Sequence, residues 1–352
     1  MKGYAVLGRG KHGWIHVKEP VPGLLDAIVR PIAVSPCSSD IHYMKTFDES
    51  KPSVILGHEA IGEVVEVGKL VENFKVGDKV AVSPSTPNWC HIGVQTRGNS
   101  AHGERLMGGF KFVGEKHGVF AEFFSVNNAD GNMVKILDGV SDEEALMSVD
   151  MMNTGFYGAE IADIQYGDSV VVIGIGPVGI MAVAGAKLRG AGNIYGVGTR
   201  QCCVRLAKEY GANSIINYKE GDVAEQVIEI EGGKVDRVII AGGGAASLNQ
   251  ALRMVAPNGV IANIEYMDKM DVFKFPASFW GLGMSDVKIV GGFCPGGGYR
   301  LNKLMKLIRA KKIDPSRIMN YRYEGFDKIP DAVEIMDIKP DNLVKPGVFI
   351  EW

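Results

Sequence analysis

A thiol, an imidazole and two carboxylates in this chain are of the types that bind a transition metal. Cys37 offers a thiolate, His58 an imidazole and Asp150 a carboxylate. A catalytic zinc takes three such ligands and keeps one position open. Glu59, beside His58, could support the site or bind the metal transiently. A glycine-rich stretch at 174–179 could hold a dinucleotide, so metal-assisted hydride transfer is the chemistry that these parts would serve.

Each of these candidates also has an ordinary structural interpretation. Taken singly, Cys37 is more often a small buried apolar residue and His58 a structural histidine. Glu59 could be a surface carboxylate. Asp150 lies in the apolar run 145–152, where an unpaired charge is costly, so it needs a cation or several donors. A metal would meet that need, but Asp150 could equally be the N-cap of a helix that begins near Thr154.

The glycine-rich stretch follows an apolar strand candidate, Val170–Ile173, and opens a helix of small residues. Its first glycine permits a tight turn, its second lets the backbone approach a pyrophosphate, and its third allows the helix to pack closely on the strand. The helix N-terminus then faces the phosphates. A tight turn with no ligand is the alternative. The residues predicted to bind the cofactor here are Gly174, Gly176, Pro177, Val178 and Gly179.

The residues after the next strand favour NADP over NAD. An NAD-binding fold places a carboxylate there for the ribose 2′-hydroxyl, but 195–200 contains no Asp or Glu. Gly198 leaves room for a phosphate on the ribose, and Thr199 offers it a hydroxyl. Arg200 offers a planar, positively charged guanidinium, which suits a 2′-phosphate. Tyr218, after the third strand, could lie against the adenine or the phosphate. The alternatives are that Arg200 is solvated at the start of a helix and that Tyr218 covers the sheet edge.

Composition sets the class of protein. With 352 residues and 46% hydrophobic content, the chain exceeds the usual size of one core, so we expect two lobes. A net charge of -3 does not favour nucleic acid or anionic lipid as a partner. Five scattered cysteines predict a reducing compartment rather than a disulfide framework. We find no signal peptide and no apolar run near the ~18 residues of a membrane span, and therefore predict a cytoplasmic protein.

The pattern of predicted secondary structure changes near residue 150. Before it, short β-like runs alternate with Gly, Pro and Asn, which predicts an irregular all-β lobe that holds all seven histidines. After about residue 168, buried strands alternate with helices, which predicts a doubly wound parallel sheet. Strands are predicted at Ser169–Ile173, Ile194–Val197, Ser214–Ile216, Arg237–Ile240, Val260–Ile264 and Val287–Val290. Helices are predicted at Pro177–Leu188, Gln201–Tyr210, Val223–Ile230 and Leu301–Ala310, and the tail is expected to return to the first lobe with a strand at Val348–Ile350.

The sequence resembles the zinc-dependent medium-chain alcohol dehydrogenases nearly from end to end. Gly57, His58 and Glu59, with Gly62, Gly68 and Val71, match the zinc signature of that family. More narrowly, 36–42, 150–156 and 294–297 resemble the NADP-dependent secondary-alcohol dehydrogenases of anaerobic bacteria and protists. The resemblance implies an α/β chain with a GroES-like irregular β-barrel catalytic domain, at 1–152 and 294–352, and a Rossmann domain with a doubly wound parallel sheet at 153–293.

The resemblance also implies roles for individual residues. The zinc ligands would be Cys37, His58 and Asp150, with Glu59 close by, and the 2′-phosphate would lie at Gly198, Thr199, Arg200 and Tyr218. Ser39 would contact the substrate oxygen and pass a proton towards solvent through the cofactor ribose and His42. Without the resemblance, Ser39 reads as a turn hydroxyl and His42 as a surface ring. A homotetramer is implied in the same way.

The implied activity is zinc-assisted, NADP(H)-dependent interconversion of small secondary alcohols and ketones, with some primary alcohols and aldehydes. Only Cys90 lies where wider relatives carry a four-cysteine lobe, so one zinc and no structural zinc are expected. Phe110 stands where the secondary-alcohol dehydrogenases usually have a tryptophan, and residues 90–105 depart from the sequence pattern of that group. Pocket candidates are Trp89, Phe110, Tyr266 and Cys294, each more often plain core. The rival hypotheses are a zinc-free quinone reductase and a nucleotide-binding protein without catalysis.

Overall fold

The computed structural model describes residues 1–90, 92, 94, 106–107, 116–267 and 272–352. Two compact units make up the chain: Met1–Asp150 with Cys294–Trp352, and Met151–Phe293. The predicted pocket residue Phe110 and most of the divergent segment 90–105 lie outside the described residues.

Strands account for most of the first unit and for the sheet of the second. They are β1 Lys2–Gly8, β2 Lys11–His16, β3 Ala27–Ser35, β4 Val54–Ile55, β5 Glu59–Val67, β6 Lys79–Val82, β7 Thr86–Pro87, β8 Leu106–Met107, β9 Phe124–Val126, β10 Met133–Lys135, β11 Ser169–Ile173, β12 Asn193–Val197, β13 Ser214–Ile216, β14 Val235–Ile240, β15 Val255–Asn263, β16 Lys288–Gly291, β17 Met319–Glu324 and β18 Lys345–Phe349.

The α-helices of the described chain are longest in the second unit and near the C-terminus. They are α1 Ser38–Lys45, α2 Ala129–Asn132, α3 Asp142–Met147, α4 Asn153–Ile161, α5 Pro177–Leu188, α6 Gln201–Tyr210, α7 Val223–Glu231, α8 Ser247–Met254, α9 Gly298–Arg309 and α10 Ile329–Ile338. A π-helical turn, Ser148–Met152, directly precedes α4.

The first unit contains a mixed sheet in the order β10-β6-β5-β3-β18-β17, with β9 also paired to β3. Its register brings three strand ends together. Ser35, at the end of β3, pairs with Glu59, at the start of β5, and the Ser35 hydroxyl donates to the Pro346 carbonyl of β18 at 2.7 Å. The residues just beyond those ends, Cys37 and His58, therefore lie near each other although they are remote in sequence.

The second unit is a six-stranded parallel sheet in the order β13-β12-β11-β14-β15-β16. The order steps outward from β11 in both directions, as in a doubly wound fold. The predicted α/β fold, with an irregular β lobe and a parallel Rossmann-type sheet, is confirmed. β15 begins at Val255, five residues before the predicted start, because a register irregularity lets Val255 pair with Val235 ahead of the main ladder.

No described helix combines the length and the apolar character needed to cross a bilayer.

Candidate functional site

The structure brings four predicted metal-binding side chains together in the first unit. One ligand atom each from Cys37, His58, Glu59 and Asp150 lies within 4.8 Å of the others. His58 Nε2 is 3.5 Å from Asp150 Oδ2 and 4.0 Å from Glu59 Oε1. Zinc bonds of about 2.0–2.3 Å place tetrahedral ligand atoms roughly 3.3–3.8 Å apart. The distances between the ligand atoms, and the combination of sulfur, nitrogen and oxygen donors, therefore fit zinc.

Helix α1 fixes the position of the thiol. Cys37 is its N-cap residue, with extended backbone. The Asp40 carboxylate accepts a hydrogen bond from the Cys37 backbone N–H at 2.8 Å, which closes the first turn. Its other oxygen accepts from the Gly57 N–H at 3.3 Å. Asp40 therefore ties the loop that carries Cys37 to the loop that carries His58.

Asp40 also sets the electrostatics of the imidazole. Asp40 Oδ1 is 3.3 Å from His58 Nδ1, and both side chains are buried. Burial acts to lower the pKa of His58, but the charge of Asp40 and hydrogen bonds with Asp150, Asp40 and Cys37 raise it well above its ordinary value. The surroundings of the ring thus attract positive charge, and a metal at Nε2 with Asp40 on Nδ1 is the usual carboxylate–histidine–zinc arrangement.

Asp150 lies inside the π-helical turn and is 7% exposed. The interpretation of Asp150 as an N-cap is wrong: α4 begins at Asn153, its N-cap position is Met152, and no side chain caps it. A π turn adds a residue to the helical repeat and redirects the side chains, which is why such turns recur at functional sites. The turn leaves Asp150 with an oxygen close to His58 rather than in the apolar surroundings that its sequence neighbours suggest.

Glu59 is fully buried and paired with Lys345, whose Nζ lies 2.6 Å from Glu59 Oε1. Burial raises the pKa of Glu59 to about 7, and the charge of Asp150 adds to the rise while Lys345 opposes it. Burial, which is the largest cause, therefore disfavours the ionised form of this carboxyl group. A divalent cation nearby would favour the ionised form.

The two residues predicted to move a proton lie on one side of α1. Ser39 and His42 are three residues apart, which places neighbouring side chains on the same helix face. Ser39 Oγ is 3.4 Å from His58 Nε2, whereas His42 Nε2 is 3.4 Å from the exposed hydroxyl of Thr46. Cys37, His58, Glu59 and Asp150 are called the donor cluster below. Ser39 therefore lies beside the donor cluster, and His42 lies towards the exposed end of the helix.

In the second unit, the glycines of the predicted cradle differ in what surrounds them. Gly174 has φ +90°, and a Cβ there would lie 2.7 Å from Gly242. A Cβ on Gly179 would lie 1.8 Å from the Gly174 carbonyl oxygen. Among the described residues, a Cβ on Gly176 would have only the Arg200 guanidinium within 4 Å, at 4.0 Å. Two glycines are thus required by packing, and the third lies away from other described side chains at the N-terminus of α5, where Pro177 and Val178 begin the helix.

Three of the predicted 2′-phosphate residues, Gly198, Thr199 and Arg200, follow β12, and the fourth, Tyr218, follows β13. Arg200 is the N-cap residue of α6, and the Thr199 hydroxyl donates to the Tyr218 hydroxyl at 3.2 Å. Tyr218 is 53% exposed. A Cβ on Gly198 would lie 2.4 Å from Ile175. Close packing is therefore a sufficient reason for a glycine here, and room for a ligand is a second one. Gly198, Thr199, Arg200 and Tyr218 stay predictions as cofactor contacts.

Of the other predicted pocket residues, Trp89 and Cys294 have structural partners in the first unit, whereas Tyr266 belongs to the second. Trp89 covers Gly131 and donates to Asn132 Oδ1 at 2.9 Å, and the Cys294 carbonyl accepts from the Ser85 hydroxyl at 3.1 Å. Tyr266 is half exposed and belongs to the second unit. Their role as a substrate pocket is untested.

Sequence reasoning missed two residues of the site, Asp40 and Lys345. A carboxylate three residues after Cys37 fits the capping-box spacing and could have been noticed. Lys345 stands alone in the apolar run 343–350, where a cation must have a buried partner, although that partner could not be named from the sequence.

Comparison with known proteins gives consistent matches over both units. Residues 23–138 match the alcohol dehydrogenase GroES-like domain, and residues 177–310 match the zinc-binding dehydrogenase domain. The chain is 50% identical to the NADP-dependent isopropanol dehydrogenase of Clostridium beijerinckii, covering 99% of this chain and 100% of that protein. It is 49% identical to the enzyme of the same name from Thermoanaerobacter brockii, with the same coverage. A zinc-dependent alcohol dehydrogenase from Streptococcus pneumonia, solved in its apo form, matches with a TM-score of 0.89 at 27% identity, over 100% of this chain and 99% of that one.

Proposed function

The chain belongs to the zinc-dependent alcohol dehydrogenase family, and from that premise we propose that it interconverts small secondary alcohols and ketones with NADP(H) and one zinc ion per chain. Some primary alcohols and aldehydes would also react, because a methylene group in an apolar pocket changes transition-state binding by only ~1–3 kcal/mol. The observation that carries the proposal is the convergence of Cys37, His58, Glu59 and Asp150 in a chain half identical to NADP-dependent isopropanol dehydrogenases.

Zinc would supply Lewis-acid polarisation of the carbonyl, and the nicotinamide would supply or accept the hydride. Cys37, His58 and Asp150 would hold the metal, and Asp40 would keep the imidazole turned towards it. In oxidation, Ser39 would accept the alcohol proton and His42 would release it to solvent. In ketone reduction the same proton would travel inward. The placement of Ser39 beside His58 and of His42 towards the exposed end of α1 supports this order.

The cofactor would bind on the second unit. The open space at Gly176 allows the backbone at the N-terminus of α5 to approach the pyrophosphate, alongside Gly174, Pro177, Val178 and Gly179. Arg200, near Gly176, would pair with the 2′-phosphate, supported by Thr199 and Tyr218. Because the planar guanidinium can donate two hydrogen bonds to a phosphate, this arrangement favours NADP(H) over NAD(H).

We propose that the chain forms a homotetramer and that part of the contact lies on the second unit. β16 is an edge strand of the parallel sheet, its residue Ile289 is exposed, and so are Leu282 and Met284, which precede the strand in sequence. An edge strand with unpaired backbone groups and exposed apolar side chains nearby can pair with a second copy of the chain. None of the five cysteines, all of which lie in the described part of the chain, forms a disulfide, which fits the proposed reducing, cytoplasmic location. The absence of a structural zinc stays a prediction, because most of the relevant segment is not described.

A steady-state panel of small ketones and aldehydes with NADPH and NADH tests the proposal. We expect turnover of acetone or 2-butanone with NADPH. Asp150→Ala should lose zinc and turnover together. Arg200→Ala should raise the KM for NADPH by about 10- to 100-fold, which corresponds to ~1.5–3 kcal/mol for a charge-assisted hydrogen bond, and leave the KM for NADH nearly unchanged.

Arg205→Ala serves as the matched control, because Arg205 lies one turn farther along α6 with its side chain 74% exposed. A preparation that stays fully active after exhaustive chelation would favour the zinc-free quinone reductase. Tight NADPH binding without turnover would favour the non-catalytic nucleotide-binding protein.

A further inference from the structure

The pair formed by Lys345 and Glu59 is the most deeply buried ion pair among the described residues. Their side chains are 1% and 0% exposed. Lys345 Nζ donates to Glu59 Oε1 at 2.6 Å and to the Pro36 carbonyl at 2.9 Å. The pair adjoins the donor cluster, since Glu59 is one of its members. Burying two charges is costly, so an ion pair at this place calls for a functional reason.

The two oxygens of the Glu59 carboxylate have different surroundings. Oε1 accepts from Lys345. Oε2 is buried and has no hydrogen-bond partner among the described residues. A buried carboxylate oxygen without a donor is unfavourable. A cation held by Cys37, His58 and Asp150 would lie within reach of the same carboxylate, because all four ligand atoms fall within 4.8 Å.

The charges of the donor cluster explain why a lysine is needed beside Glu59. The thiolate and the two carboxylates of the cluster carry three negative charges when ionised, of which a divalent cation would offset two and Lys345 one, while the Asp40 carboxylate lies on the other side of the ring, 3.3 Å from His58 Nδ1. Without Lys345, Glu59 would carry an uncompensated buried charge, and the nearest cation would be the metal. Lys345 and the metal therefore compete for one carboxylate.

We propose that Lys345 is a positioning residue that holds Glu59 at the margin of the zinc site and so keeps one metal position available to substrate. This inference rests on the proposed function, because it takes zinc as the resident metal. Lys345 acts through Glu59 and has no direct contact with the reacting atoms. Glu59 remains near enough to take the vacant position when no substrate is bound.

A purely structural role for Lys345 predicts different behaviour. Through its bond to the Pro36 carbonyl, Lys345 anchors the residue that precedes Cys37. If that were its whole function, removing the ammonium group would loosen the Cys37 loop and zinc would leave faster. If Lys345 restrains Glu59, removing it frees a further ligand and zinc leaves more slowly.

The test compares the native protein with Lys345→Met, Glu59→Gln and the double variant. The first readout is the rate of zinc transfer to a chromogenic chelator. The second is the visible spectrum of the cobalt(II)-substituted protein on addition of imidazole, a neutral ligand that reports an available metal position. Neither readout depends on turnover.

For Lys345→Met we expect zinc release slower by about 10-fold or more, within the 10- to 100-fold range of residues that support metal ligands. We also expect a cobalt spectrum that imidazole no longer changes. In the Glu59→Gln background, Lys345→Met should have little further effect on either readout, and the response to imidazole should return.

Release that is as fast as or faster than native, with the imidazole response kept, would overturn the inference. Should Lys345→Met fail to fold, the double variant decides, because a protein with neither charge avoids the unpaired carboxylate. If the double variant loses metal or the imidazole response while Glu59→Gln keeps both, Lys345 acts independently of Glu59 and the inference is wrong. A native protein without zinc would instead contradict the proposed function.

Discussion

At the residue scale, Asp40 connects the backbone to the metal chemistry. It accepts from two backbone N–H groups and lies 3.3 Å from His58 Nδ1. Asp40→Asn keeps the size but loses the charge that orients the ring, so zinc affinity should fall by about 10- to 100-fold. A competition titration with a chelator of known affinity measures this change.

Asp130→Asn is the matched control for that titration. Asp130 likewise accepts from two backbone N–H groups, those of Glu72 and Asn73, but it is exposed and is not a member of the donor cluster. The control should bind zinc as the native protein does. Equal affinities for all three proteins would show that Asp40 has only a capping role.

Lys116 gives a prediction for stability against pH. Burial lowers the pKa of its ammonium group from about 10.5 to about 8, although Asp26 opposes the shift, and Nζ donates to Asn127 Oδ1 at 2.8 Å. Between pH 8 and 10.5 the unfolded chain binds more protons than the folded chain at this group, so its contribution to the free energy of unfolding rises with pH. Lys116→Met removes that contribution.

The stability of Lys116→Met relative to native should therefore be highest near pH 7 and fall as the pH rises to 10. Urea unfolding midpoints at pH 7, 8.5 and 10 test this, with the exposed Lys219→Met as the control. A difference between variant and native that stays constant across this range would contradict the expected shift at Lys116.

At the element scale, the turn before β5 decides where His58 lies. Gly57 has φ +90°, and a Cβ there would lie 2.4 Å from the ring of the buried Phe120. Gly57→Ala should lower the melting temperature and reduce zinc content, because both the backbone strain and the clash would displace the loop. Gly77 has the same φ of +90°, and no described atom lies within 4 Å of a Cβ built there, so Gly77→Ala isolates the backbone strain. Equal melting temperatures for the two variants would rule out the clash as the cause.

The start of α5 offers a second pair of matched glycines. Gly176→Ala meets open space and extended backbone, whereas Gly179→Ala places a Cβ 1.8 Å from a carbonyl oxygen. Gly176→Ala should keep the native melting temperature but weaken NADPH binding, because the methyl group would occupy the approach to the pyrophosphate. Gly179→Ala should instead destabilise the fold. Native NADPH affinity in Gly176→Ala would place the cofactor elsewhere.

Periodicity and motif spacing predicted the elements well where local sequence determines them. The predicted strands of the parallel sheet and the helices α5, α6 and α7 agree with the structure to within five residues, because buried β-branched runs and helices alternate there. Helix α8, Ser247–Met254, is not among the predicted helices. The metal cluster was predicted chiefly through resemblance, since its members are remote in sequence. The π turn at Asp150 and the partner of Lys345 depend on tertiary packing, which periodicity does not encode.

At the scale of the whole molecule, the proposed assembly predicts a measurable change in mass. Ile289 lies on the edge strand β16 and is 43% exposed, so Ile289→Asp would place a charge in the proposed contact. Light scattering should show a species of lower mass than the native protein, for which a tetramer is proposed. Ile230→Asp, at an exposed position on α7 of the same unit, should leave the mass unchanged. Unaltered mass for Ile289→Asp would locate the contact elsewhere.

The most direct measurement is anomalous diffraction at the zinc absorption edge from crystals of the active protein. We predict one peak per chain, about 2.0–2.3 Å from Cys37 Sγ, His58 Nε2 and an Asp150 carboxylate oxygen. An active protein with no zinc peak among these atoms would contradict this prediction.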